Sequence, residues 1–203
     1  MKVLELEQGS DEWLQARAGM ITASKIKAIV AGNNTTSYKS MIADLVAERM
    51  SGKPVDGFSN GYMDRGNELE PDARKDYELQ NFVQVNEVGF VIHPALDYAG
   101  CSPDGLVGSE GMVQIKCHKS HIHLNYIENG TVPKQYVRQM QWEMECTERE
   151  WSDFVSYAPQ FPEPHNLWVK RIERDESLIK DILEEVKQAN ELINQTIKKL
   201  NKI

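Results

Sequence analysis

The chain is short of three things. It has three cysteines in 203 residues, an odd number without Cys-x-x-Cys spacing. That excludes a disulfide framework and points to reduced thiols. It has no apolar run approaching the ~20 residues that span a bilayer. Acids interrupt Met1-Lys-Val-Leu-Glu-Leu-Glu7, where a signal peptide needs an unbroken apolar core. The expectation is a cytoplasmic protein with no membrane partner. Positive charge is also scarce: 23 Lys and Arg against 31 Asp and Glu give a net charge of −8 and a pI near 5.2. A broadly basic nucleic-acid coat protein is thereby excluded. A protein that meets phosphate only inside a narrow lined channel is not, and clustered carboxylates lower the pI by themselves. No repeat or low-complexity segment occurs. A hydrophobic content of 40% supports a core, and the length fits one domain. It is read as a helical part over 1–80, a sheet core over 81–172 and a C-terminal helix over 175–200.

The most informative stretch runs from Cys101 to Cys117. Asp104 sits in a Pro-Asp-Gly turn, where Pro presets φ and Gly accepts a positive value. Val113, Ile115 and Cys117 alternate with Gln114 and Lys116, the period-two pattern of a half-buried strand. Gln114 and Lys116 therefore share a face, and a hairpin-like return would bring Asp104 beside them. An acid, a second oxygen ligand and a lysine at a strand end suit metal-assisted phosphodiester chemistry, with Mg²⁺ taking oxygen ligands.

Other segments supply a frame. Ser10 caps a short helix carrying Trp13 and Leu14, and Gly19 stops it. Thr22 or Ser24 caps a second helix with Ile26, Ile29 and Val30; free N–H groups at such a terminus bind anions. Loops are expected at 32–37 and 51–61, flanking an amphipathic helix marked by Tyr38, Met41, Ile42, Leu45, Val46 and Met50. Leu69, Ala73 and Tyr77 mark another helix, with a kink or restart at Pro71. On it Glu70 projects inward, while Glu68, Asp72 and Asp76 face solvent. Val83 to Ile92 reads as two short strands around Asn86; strands also fall at 98–101, 112–117, 151–157 and 167–172. Pro133 opens a helix over 133–146 with Tyr136, Met140 and Met144 on one face and Gln139 on its shoulder. From Glu176 a long amphipathic helix packs on the core or on another subunit. His118, His121 and His123 lack the fourth ligand and the pairing of a closed zinc site. They read as loop histidines.

Four motifs carry a resemblance to the phage lambda exonuclease and YqaJ-type viral recombinase family of restriction-endonuclease-like nucleases. They are Gln8-Gly-x-x-x-Trp-x-x-x-Arg17-x-Gly-x-Ile-Thr-Ala-Ser24, the Arg65-Gly-x-x-x-Glu70 helix, Pro103-Asp104 with x-Lys116, and Tyr136-Val-Arg-Gln139-Met-Gln. They lie in the family's order and span nearly the whole chain. The resemblance implies an α/β fold with a central mixed sheet flanked by helices. It implies Mg²⁺-dependent 5′→3′ exonuclease action on linear double-stranded DNA, with Mn²⁺ as a substitute ion. Such action releases 5′-mononucleotides and leaves a 3′ single strand for recombination in a bacterial host cell.

By the same resemblance, Glu70, Asp104 and position 114 hold metal, Lys116 and Gln139 complete the catalytic group, and Arg17 and Ser24 take the DNA 5′-phosphate. A single-strand annealing protein is the implied partner, and a homotrimeric ring the implied assembly. One position departs from the pattern: the family has an acid where this chain has Gln114, which implies impaired cleavage. Two alternatives follow, a catalytically inactive DNA-end-binding protein and an endonuclease of the same fold.

Overall fold

The computed structural model describes residues 1–55 and 61–202. Residues 56–60 of the expected 51–61 loop lie outside the described residues. The strands are β1 (Lys2–Leu4), β2 (Ile21–Thr22), β3 (Val85–Asn86), β4 (Phe90–Ile92), β5 (Ala99–Cys101), β6 (Gly105–Val107), β7 (Gly111–Lys116), β8 (Trp151–Tyr157) and β9 (Leu167–Glu173). The helices are α1 (Asp11–Arg17), α2 (Ile26–Ile29), α3 (Thr36–Ser51), α4 (Gly61–Asn81), α5 (Ser120–Asn129), α6 (Lys134–Thr147) and α7 (Glu176–Leu200). A 3₁₀ turn at Ala23–Lys25 leads into α2.

The strands form two mixed sheets, not one. One has the order β1-β4-β5-β2, the other β3-β6-β7-β8-β9. In the first only β2-β5 is parallel, and in the second only β7-β8. In the first sheet β4 and β5 fall where strands were expected, while β1 and β2, three and two residues long, escaped a reading by alternation. Such fragments are too short to show a period. The second sheet contains the hairpin expected around Asp104, with Gly105 paired to Val113 across β6 and β7. Gly105 is required by packing: a Cβ there would lie 2.1 Å from the Val85 side chain.

The strand β7 is buried along its length up to Lys116, rather than half-buried. Helix α4 covers one face, where Ala73 and Tyr77 pack with Val113 and Ile115. On the other face Met144 of α6 packs with Met112 and Leu106. A central strand covered on both sides hides its polar positions as completely as its apolar ones. This is why Gln114 is 1% exposed.

Helix α4 runs through Pro71 without a restart. Pro removes one helix hydrogen bond and costs about 3 kcal/mol in a helix interior. Burial of Ala73 and Tyr77, with Leu69 packed against the same cluster, offsets that cost. Asp72 on the same helix is exposed as expected. Asp76 is not: it is partly buried and accepts from Asn166 Nδ2 at 2.8 Å. Helix α7 lays Ile179, Ile182, Val186, Ala189 and Ile193 on α3, α2 and α6, so its apolar stripe belongs to the core of this chain. Ser10 caps α1 as expected, accepting from Trp13 N at 3.2 Å. Thr22 precedes the 3₁₀ turn but its side chain makes no cap bond; its hydroxyl lies 3.1 Å from Ser24 Oγ instead. Among the described residues no helix is long and apolar enough to cross a membrane.

Candidate active site

The Asp104 turn is held by the N-terminal segment. Gln8 Nε2 donates to Pro103 O at 3.0 Å and to Val88 O at 2.8 Å. Trp13 Nε1 donates to Ser102 Oγ at 3.0 Å. Asp104 consequently sits at the mouth of the β6-β7 hairpin. Its Oδ2 accepts from Ile115 N at 2.6 Å and from the Gln114 side-chain amide. Lys116 Nζ lies 3.8 Å from the same oxygen and 5.9 Å from the centre of the Tyr136 ring.

Glu70 approaches from α4. Burial pushes its carboxyl up to about 7, and the nearby Asp104 charge adds to the rise. Arg74, at 2.9 Å, and Lys116 oppose it. Arg74 divides itself, pairing also with Glu87. Two carboxyls crowded together with only partial cationic compensation make an electrostatic environment suited to a divalent cation. Glu70, Arg74 and Trp13 line an open cleft of about 840 Å³.

Helix α6 closes the site from behind. Gln139 Nε2 donates to Gln114 Oε1 at 2.7 Å and to Glu143 Oε1 at 2.8 Å. Glu143 is fully buried, and burial pushes its carboxyl up to about 8, the Asp104 charge adding to the rise. Glu143 went unnoticed in the sequence. Its signal was the i,i+4 spacing from Gln139, which places both on one helix face.

The N-terminal motif forms a second cluster. The Arg17 guanidinium lies 3.7 Å from the Trp13 ring centre. Burial lowers its pKa to about 10, against the opposing influence of Cys101 and Glu48. Among the described residues no oxygen accepts a hydrogen bond from it. The turn leading to Ser24 is pinned at Gly19. Its N–H donates to Glu48 Oε2 at 2.8 Å, and Arg49 Nε donates to its carbonyl at 2.8 Å. Gly19 has φ +74, and a Cβ there would press on Arg49 Cγ at 2.7 Å. Lys25 pairs with Glu48 at 3.4 Å. Trp13 joins the two clusters, since it carries Arg17 on its face and bonds Ser102 beside the Asp104 turn.

The structure thus brings Asp104, Gln114, Lys116, Glu70 and Gln139 together, with Arg17 and Ser24 on the adjoining segment. Only His118 of the three histidines sits in a loop, between β7 and α5. His121 and His123 belong to α5, and His123 is buried with its ring nitrogens 2.8 Å from Ser156 Oγ and from His165 O. His118 lies 3.2 Å from the Tyr136 hydroxyl, and burial, then Lys116 and His123, lowers its pKa to about 4. Among the described residues no three His, Cys, Asp or Glu side chains converge as a metal-holding group. Gln114 leaves the Asp104 site with two carboxyls and an amide.

These features define a nuclease-like α/β fold with an acid–lysine centre. The chain belongs to the YqaJ-like viral recombinase domain family, whose model matches residues 12–150. An alkaline exonuclease, LHK-Exo, from Laribacter hongkongensis has the same fold with a TM-score of 0.89 and 37% identity, over 95% of this chain and 97% of that one. The same enzyme in complex with dAMP matches with a TM-score of 0.89 and 38% identity, over the same shares of the two chains. An uncharacterized protein of Acanthamoeba polyphaga mimivirus, R354, is 26% identical over 167 residues, or 76% of this chain. This chain spans only 30% of the length of that viral protein.

Proposed function

We propose that this protein is a DNA exonuclease that works 5′→3′ from the ends of linear double-stranded DNA. The observation that carries the reading is the joining of two clusters through Trp13. One is the Glu70, Asp104 and Lys116 group, the other an Arg17 guanidinium with no acceptor among the described residues. A half-buried guanidinium that finds no acceptor among the described residues is suited to an anion, and its planar fork matches a terminal phosphate. Ser24, at the start of the segment entering α2, adds a hydroxyl to the same anion. The alkaline exonuclease relative that binds dAMP makes a 5′-mononucleotide a natural product for this site too.

Glu70 and Asp104 fit a divalent cation, Mg²⁺ or Mn²⁺, because their carboxyls are crowded and incompletely compensated. Such an ion would activate water and stabilise the leaving oxygen. The chain's own groups do the rest. Lys116, held near Asp104, offsets charge on the phosphate under attack. Gln139 holds the Gln114 amide. Arg17 and Ser24 select the strand by its 5′-phosphate. A homotrimeric ring enclosing the duplex and a single-strand annealing protein taking up the 3′ strand complete the reading, in a recombination role. The ring would retain DNA by topology where a net charge of −8 holds it poorly. Light scattering at micromolar concentration is expected to give a trimer; a monomer overturns the ring.

The contact of the Gln114 amide with Asp104 favours a second reading, a DNA-end-binding protein with strongly reduced cleavage. An amide brings no negative charge to the ion and its NH₂ repels it. One assay separates the readings. Linear duplexes with 5′-phosphate or 5′-hydroxyl ends, and circular duplex, are incubated with Mg²⁺, while binding is followed in parallel. Digestion of the 5′-phosphorylated linear duplex alone supports the exonuclease. Binding without digestion supports the end-binding protein. Nicking of the circle points to an endonuclease and overturns both.

A further inference from the structure

Glu143 is placed where packing alone has no use for a carboxyl. It is 1% exposed on α6, between neighbours Trp142 and Met144 that are fully buried. Among the described residues it makes no ion pair, and its Oε2 is buried without a hydrogen-bond partner. Its one polar contact is Oε1, which accepts from Gln139 Nε2 at 2.8 Å. The two hydrogens of that NH₂ are then both used, the second going to Gln114 Oε1 at 2.7 Å. The Gln114 carbonyl is thereby committed to Gln139, and its NH₂ is left facing Asp104 Oδ2. The order of donors along this chain of four side chains is held at both ends, by Asp104 Oδ2 accepting from Gln114 and by Glu143 Oε1 accepting from Gln139.

We propose that Glu143 is a positioning residue which, acting through Gln139, decides which end of the Gln114 amide faces Asp104. The proposal rests on the nuclease reading only for its consequence. With an acceptor at 143, the Gln139 NH₂ stays between Glu143 and Gln114, and the Gln114 carbonyl cannot turn toward a cation beside Asp104. With no acceptor at 143, Gln139 is free to present its own carbonyl to the Gln114 NH₂. When a cation is supplied on the Asp104 side, Gln114 can then turn its oxygen to it as a neutral ligand.

The test compares Glu143→Gln, which keeps an acceptor oxygen of the same reach, with Glu143→Leu, which removes it. Two readouts are taken on the full chain. One is the side-chain amide NMR resonances of Gln114 and Gln139, assigned by substituting each. The other is Mn²⁺ affinity by electron paramagnetic resonance. Glu143→Leu is expected to shift the Gln114 amide resonances and tighten Mn²⁺ binding at least threefold, while Glu143→Gln stays within twofold of the parent. Unchanged resonances, or unchanged or weaker Mn²⁺ affinity, in Glu143→Leu overturn the proposal. So does an equal change in both variants, which would mean that charge and not orientation is at work. If Glu143→Leu does not fold, Glu143→Met gives the same acceptor-free comparison. If no variant and not the parent binds Mn²⁺, the cation reading of the site fails, while the amide resonances still decide the positioning of Gln114.

Discussion

Acids on one sheet and on the helices packed against it are treated in opposite ways. Asp153 on β8, paired in register with Val113 of β7, is 3% exposed and fully partnered. Arg171 donates to it from Nε at 2.8 Å and from a second nitrogen at 2.9 Å, and Tyr77 OH lies 2.7 Å away. Arg171 is also stacked on Trp151, 3.5 Å from its ring centre. Glu70 and Glu143 flank Asp104 one strand over. They are raised to about 7 and about 8 because burial and a neighbouring acid outweigh the cations near them. The difference separates architecture from site. A carboxylate that only holds the fold is neutralised where it stands, because an unpaired buried charge is costly. Under the proposed function, a centre that would take a cation keeps carboxyls that the protein alone does not satisfy.

The comparison breaks most visibly at Gln114. Restoring an acid there adds charge on the hungry side only. Gln114→Glu is expected to raise Mg²⁺-dependent digestion of 5′-phosphorylated duplex by about 10²–10³-fold, the scale of one preorganised electrostatic group in an active site. Adding Asp104→Ala to that variant should abolish the gain; rates of nucleotide release from a linear substrate measure both. On the satisfied side, Arg171→Ala leaves Asp153 buried with the Tyr77 hydroxyl alone. A loss of about 3 kcal/mol in urea unfolding is expected, at the low end for a broken buried pair because the guanidinium is half exposed. The Mn²⁺ affinity of this variant should not move; if it does, the two regions are not separate.

Arg17→Ala tests the adjoining cluster. The parent should prefer 5′-phosphate over 5′-hydroxyl ends by a charge-assisted contact of about 1.5–3 kcal/mol. The variant should bind both ends equally in a competition assay. The smallest effect is on stability against pH. Glu143 holds its proton in the folded chain up to about 8, whereas in the unfolded chain it ionises near the ordinary carboxylate value. The folded state therefore binds more protons between those two pH values, and stability falls as pH rises through that window. Below it the group is protonated in both states and contributes no slope. Glu143→Gln should flatten the decline of the urea midpoint between pH 5 and 8 (read at half-unit intervals, roughly the resolution the slope needs). An unchanged slope would place the ionisation elsewhere.

Much of this was legible along the chain, because it is local. Ser10 and Gly19 bracket α1, the stripe from Ile179 to Ile193 defines α7, and Pro103-Asp104-Gly105 followed by Gln114 and Lys116 defines the hairpin. Periodicity, caps and turn chemistry act over a few residues and are written in neighbouring letters. The four motifs in order singled out Asp104, Lys116, Glu70 and Arg17, which the fold carries on adjoining segments. What lies in no local pattern is decided by packing. Two-residue strands such as β2 exist only because Ala99 and Gly100 lie alongside to accept and donate. Helix α4 passes Pro71 because Tyr77 and Ala73 are buried beyond it. His123 is a core residue because α5 folds it against Ser156. Glu143 looks like one more helical glutamate until α6 is laid against β7. Then burial denies it solvent, Gln139 becomes the one hydrogen-bond partner of its carboxyl among the described residues, and the orientation of an amide beside Asp104 comes to depend on it. Charge and spacing are properties of the sequence, but which charges lose their water is a property of the assembled layers, because desolvation requires every neighbour to be in place at once.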